Sequence, residues 1–213
     1  MTQTQSETQQ NQFYLLLPDS TRGGKGHGVA FENLKELRGG PRLVLRPKDG
    51  GFPALSAKPK LVYEPGRGVT PQDLEGGMSG YWLVSERLKS VMIGTDPDAF
   101  EFVECDFYLA DGTEGPRYYL CDVVRTVDAV DESASKLNVL VGDEYSAGKH
   151  YRLTGGASLV FKNDVVGDAL VFRTPFSGDL VFCSRRFRDA VRAAGIGSPK
   201  DSRGLWFTAV DDL

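Results

Sequence analysis

The chain has 213 residues, of which 40% are hydrophobic, 25% charged and 10% aromatic, enough for one ample domain with a real core. A formal charge of −4 argues against direct nucleic-acid binding, which needs a basic face to displace counterions. No apolar run approaches the roughly 20 residues that cross a bilayer, and Cys105, Cys121 and Cys183 form no C-x-x-C pair, so the expectation is a cytoplasmic chain with buried, reduced thiols.

Residues 1–12, "MTQTQSETQQNQ", hold neither an apolar h-region nor a basic n-region and nothing to bury, which predicts a disordered tail. "FYLLLPD" (Phe13 to Asp19) reads as a strand stopped by Pro18, and "TRGGKGHG" as a flexible loop. "PRLVLRP" (Pro41 to Pro47) is the expected second strand and "KPKLVYEPG" a third. Residues 64–80, rich in Gly and Pro, read as a long connection. They divide a variable N-terminal part, 13–79, from a more regular core, 80–213.

From Tyr81 the pattern sharpens. "YWLVSERLKSVM" sets Ser85 as N-cap of a short helix with Leu88, Val91 and Met92 on one face, and "FEFVECDFYL" alternates as a half-buried strand. "LVFCSRRFRDAVRAAGI" repeats the arrangement with Ser184 as N-cap, Phe187, Ala190, Val191 and Ala194 on one face, and Gly195 at C′; the strand "GLWFTAV" follows. Either one strand–capped helix–strand unit is used twice, or two capped helices look alike by chance. Both alternatives favour an α+β fold in a single domain, a mixed or antiparallel sheet with short capped helices packed on it.

Catalytic signals are weak. The two histidines, His27 and His150, read as exposed loop residues, and neither has a partner at metal-ligand spacing. "GGKGHG" (Gly23 to Gly28) lacks the phosphate-loop spacing, "GGMSG" (Gly76 to Gly80) fails as a nucleophile elbow because Tyr81 stands where its last glycine belongs, and "SASK" (Ser133 to Lys136) lacks companion motifs. No cofactor and no metal are expected.

"RYYLCDVVRTVDAVDES" (Arg117 to Ser133) mixes apolar and acidic residues. It reads as a strand to about Val127 with a turn after it, although Leu120, Val123, Val124 and Val127 would also make a helical stripe. Carboxylates strung along one segment do not face each other across a cleft, so its acids are expected to be solvent-facing positions and turn formers.

"WLVSERLKSVM", "FEFVECDF", "RYYLCDVVRTVDAVDESAS", "YRLTGGASLVFKNDVVGDALVFRTP", "FCSRRFRDAVRAAGI" and "GLWFTAV" occur in that order. Together, over about residues 80 to 210, they resemble the bacterial immunity protein family eleven, formerly a domain of unknown function. Members are encoded beside toxins of polymorphic-toxin and contact-dependent competition systems. The resemblance implies a non-catalytic protein that binds and neutralises a cognate toxin, and it carries over no residue roles.

A toxin that is a nuclease would present a basic cleft, and an acidic inhibitor matches that potential. Asp128, Asp131, Glu132, Asp143 and Glu144 stand against the single Lys136 in residues 128–144, a net of −4, and form the candidate partner-binding segment. Nothing in the sequence specifies a homo-oligomer. The competing readings are a small cytoplasmic enzyme with an unrecognised site and a structural component of a secretion locus.

Overall fold

The computed structural model of the chain describes residues 12–19, 26–38, 44–145 and 147–213. In chain order the elements are β1 (Phe13–Pro18), β2 (Val29–Phe31), α1 (Leu34–Leu37), β3 (Lys60–Tyr63), β4 (Leu74–Met78), β5 (Tyr81–Ser85), α2 (Glu86–Thr95), β6 (Phe100–Tyr108) and β7 (Tyr118–Val123). There follow β8 (Asn138–Val141), β9 (Lys149–Arg152), α3 (Asn163–Val166), β10 (Val171–Arg173), β11 (Val181–Ser184), α4 (Arg185–Ala193) and β12 (Leu205–Ala209). The expected α+β class holds. A six-stranded sheet runs β2-β3-β6-β7-β5-β4, a four-stranded sheet runs β10-β11-β1-β12, and β8 and β9 form a separate hairpin. Pairing is antiparallel except between β3 and β6, so the larger sheet is mixed.

The near-continuous apolar strands have a physical cause: their two faces serve different cores. On β1, Tyr14 and Leu16 enter a central core while Phe13 and Leu15 enter a second core on the other face of the small sheet. On β7, Tyr119, Cys121 and Val123 join the central core, and Tyr118 and Leu120 join a third core on the far face of the large sheet. The central core is closed by Leu88 and Met92 of α2 and by Phe187 and Val191 of α4. Because period-2 alternation directs successive side chains to opposite faces, an element buried on both faces shows no polar stripe.

The two strand–capped helix–strand units are present, β5–α2–β6 in the large sheet and β11–α4–β12 in the small one. Their caps are nearly superimposable: Ser85 has φ −71° and ψ 160°, Ser184 has φ −73° and ψ 161°, and each side chain accepts the N–H three residues on. α4 ends as its sequence predicts. Gly195, at φ +75°, lets its N–H reach the Arg192 carbonyl at 2.8 Å and the Ile196 N–H reach Val191 at 3.2 Å, a Schellman closure with Ile196 buried against Val191. Ser184→Ala is expected to cost about 1 kcal/mol in urea unfolding. Ser85→Ala is expected to cost about 2 kcal/mol, because the Ser85 hydroxyl also donates to Asp73 at 2.6 Å. Equal losses would show that this second bond contributes nothing.

Three expectations need correction. Residues 44–47 are not a strand, and the rest of "PRLVLRP" lies outside the described residues; the second strand is β2 instead. The 44–46 segment lies against the β4–β5 turn, where Leu45 N–H donates to Ser79 Oγ at 2.8 Å and Arg46 N–H to Ser79 O at 3.2 Å. The connection over 64–80 contains β4, whose glycines are tolerated by a register shift between Glu75 and Met78. β7 ends at Val123 rather than near Val127; past it Thr126 makes an isolated bridge to Arg173 and Val130 one to Phe161. The "TRGGKGHG" loop is described only from Gly26 onward, and the tail only from Gln12.

Buried aspartates tie the sheets together. Asp73, at the start of β4, accepts from Arg203 Nε at 2.8 Å beside β12. Asp96, after α2, accepts from Arg125 at 2.5 Å and from the N–H groups of Leu170 and Val171 at 2.9 and 3.0 Å, at the entry to β10. Asp122 on β7 makes the third link.

Candidate partner-binding face

Asp122 is 1% exposed, which corrects the expectation that the acids of its segment face solvent. Its Oδ1 accepts from Arg46 Nε at 2.8 Å and Arg173 Nη2 at 3.2 Å, and its Oδ2 from the Gly51 N–H at 2.6 Å. Arg46 Nη1 and Arg173 Nη1 also reach Asp179, at 3.0 and 3.5 Å, and Arg173 Nε donates to the Val123 carbonyl at 2.9 Å. Two arginines and two aspartates thus alternate in a ring of no net charge. Burial and the neighbouring Arg46 charge both pull the Arg173 pKa down, opposed by Asp122 and Asp179.

Arg46 and Asp179 of this ring line an open groove of about 490 Å³. Its walls are the 44–48 segment, with Lys48; the 175–179 turn, with Phe176; and the tip of the β8–β9 hairpin, with Glu144 and His150. The 44–48 wall stands where it does because the β4–β5 hairpin turns on two residues, Ser79 at φ +57° and Gly80 at φ +96°, as in a type I′ turn. A Cβ on Gly80 would lie 2.7 Å from the Arg46 Cβ. Gly80→Ala is therefore expected to destabilise by about 2 kcal/mol and to displace Arg46. Urea unfolding measures the first effect; an unchanged midpoint would count against the close approach.

The hairpin is anchored by Tyr151, which is buried in the outer core of the small sheet, donates its N–H to the Phe176 carbonyl at 2.7 Å and sets its ring edge-on to Phe176 at 5.3 Å. Burial and the adjacent Glu132 raise the Tyr151 pKa. Before the hairpin, residues 131–135 form a turn bridged to residues 158–161.

The five candidate acids divide by what they touch. Asp131 Oδ1 accepts from the Ser133 N–H at 3.0 Å, the Ser133 hydroxyl at 2.7 Å and the Ala134 N–H at 3.2 Å; it shapes its own turn, and these bonds hold its pKa low. Glu132 meets Lys149 Nζ at 2.5 Å and the Tyr151 hydroxyl at 2.6 Å, and both hold its pKa below the usual glutamate value. Asp128 is exposed on the approach to that turn. Asp143 and Glu144 sit exposed at the hairpin tip, and among the described residues neither forms an ion pair. Lys149 is the register partner of Val141, one residue before the tip turn, so the structure gathers Glu132, Asp143 and Glu144 at one end of the hairpin. Lys149 and Lys162 also approach this region, so the net charge counted along the sequence overstates the acidity in space.

The histidines are not the exposed loop residues expected. His27 is half-buried, accepts the Val29 N–H on Nδ1 at 3.2 Å and donates from Nε2 to the Gly76 carbonyl at 2.9 Å. His150 lies on β9, stacked on Tyr145 at 5.6 Å. The three cysteines are free and buried, as expected, and burial pushes the Cys105 thiol up to about 12. Among the described residues no group of three or more His, Cys, Asp or Glu could hold a metal ion, and no helix is long and apolar enough to cross a membrane.

The sequence matches the Immunity protein family (Imm11) over residues 12–212. The chain belongs to this family. The match runs from Gln12, just before β1, to Asp212, and so takes in the N-terminal strands as well as the motifs of residues 80–210. No curated protein matches the chain. Within this Imm11 protein, sequence reasoning missed the Asp122 ring. The available signal was a lone acid among residues that alternate into two cores, since a carboxylate there must be buried and paired.

Proposed function

We propose that this Imm11 protein binds a cognate toxin stoichiometrically and neutralises it without catalysis, in the cytoplasm of the cell that makes both. Membership of the family over 12–212 carries the reading. The hairpin end supplies a surface for it. Asp143 and Glu144 project beside the groove with no internal ion pair among the described residues, whereas Asp73, Asp96 and Asp122 are each taken by an arginine of the fold. Exposed unpaired acids steer association with a basic surface, which fits a toxin that holds phosphate, such as a nuclease.

The test is co-expression with the product of the adjacent gene, scoring survival and co-purification. Survival with a recoverable complex is the expected result; no protection and no complex overturns the proposal. His27→Ala and His150→Ala are each expected to retain protection, because His27 bonds only backbone groups and His150 stacks on a tyrosine. Loss of protection in either variant, with the protein still folded by circular dichroism and the complex still recovered, would favour an enzyme instead.

A further inference from the structure

The hairpin that carries the acidic tip also has an open backbone edge. Val139 stands opposite Tyr151 and Val141 opposite Lys149, in unbroken antiparallel register. At the tip the Gly142 N–H donates to the Gly148 carbonyl at 3.2 Å. Hydrogen-bonded and non-bonded pairs alternate along an antiparallel ladder, so 140/150 and 138/152 are the bonded pairs that follow. Val139 and Val141 then direct their N–H and C=O groups away from β9. The facing strand has the matching phase: Tyr151, opposite Val139, donates its N–H outward to Phe176 at 2.7 Å.

The outer edge of β9 is thus occupied by residue 176, while among the described residues nothing bonds the outer edge of β8. The side chains there are exposed as well, Val139 at 37% and Val141 at 79%. Edge strands are ordinarily guarded by charge, proline or a bulge. Asn138–Val141 has none of these within it, and its tip holds Asp143 and Glu144.

We propose that β8 receives an extended segment of the toxin as an added strand. The segment bonds the backbone of Val139 and Val141, lays apolar side chains on theirs, and carries a lysine or arginine that reaches Asp143 and Glu144. This rests on the reading of the protein as a toxin binder and names how that surface engages. Charge favours the toxin over a second copy of this chain, because each copy carries −4 overall and two acids at its own tip.

Amide hydrogen exchange read by NMR on the full chain, alone and saturated with the protein encoded by the adjacent gene, tests this. In the free chain the Val139 and Val141 amides are expected to exchange freely while Leu140 is protected. In the complex both valines become protected by about tenfold or more, with Leu140 unchanged. Val141→Pro, which removes one outward donor, is expected to weaken binding about tenfold while the thermal transition is retained. A complex that leaves both valine amides exchanging freely overturns strand addition and leaves toxin binding standing. Failure of the wild-type chain to form any complex overturns the parent reading and this one with it. Valine protection in the free chain, together with a dimeric mass in light scattering, assigns the edge to a second copy and also overturns the proposal.

Discussion

Asp122→Ala is expected to lower the unfolding free energy by about 3–5 kcal/mol, the largest effect of any single substitution considered. The cause is the charge left behind rather than the contact removed. Arg46 and Arg173 both point at this carboxylate from well-buried positions, and without it two guanidinium groups face each other with only the exposed Asp179 between them. The Gly51 N–H also loses its acceptor. For a chain of this size that corresponds to a fall of about 10 °C in Tm. The double variant Asp122→Ala with Arg173→Met should recover part of the loss, because an apolar replacement of a buried pair costs less than half a pair. Urea unfolding of the three proteins measures both terms. A single-variant loss below about 1 kcal/mol would place the ring among ordinary surface ion pairs.

Asp143→Lys combined with Glu144→Lys is expected to slow association with the toxin by about tenfold or more and to reverse its dependence on salt, while unfolding changes by less than about 0.5 kcal/mol. These two acids are the informative pair because nothing in the described fold uses them. Reversing Asp131 as well would open the turn that holds Ser133 and Ala134, and reversing Glu132 would release Lys149 and Tyr151. A weakened complex in a fourfold variant would then report damage to the hairpin as readily as lost attraction. Stopped-flow association at two salt concentrations separates the cases. An unchanged rate and salt slope in the double variant would remove the tip from the interface.

Where local chemistry decides structure, the sequence was a good guide. Ser85 and Ser184 cap their helices, Gly195 closes the second, and the alternating "FEFVECDFYL" is β6. These outcomes depend on residues within one turn or one strand of each other. The misreadings share the opposite origin. "PRLVLRP" has strand composition, but its described part is held by Ser79 and by Asp122, dozens of residues away. β4 was hidden by its two glycines, which pair only because β5 supplies the ladder. Asp122 looked like one more acid in an acidic stretch until its neighbours on both faces were known to be buried. At the hairpin, composition located the acids but not which were already engaged. That division depends on Lys149 and Tyr151, which lie in a different strand.

The most direct test of the central claim is the stoichiometry of neutralisation. Purified protein is titrated into a fixed amount of the adjacent gene's product, and residual toxin activity is followed against the molar ratio and against time. A binder is expected to abolish activity at a fixed small-integer ratio, reached at once and unchanged on longer incubation. Neutralisation by substoichiometric protein that deepens with time would contradict the account and make the protein an enzyme.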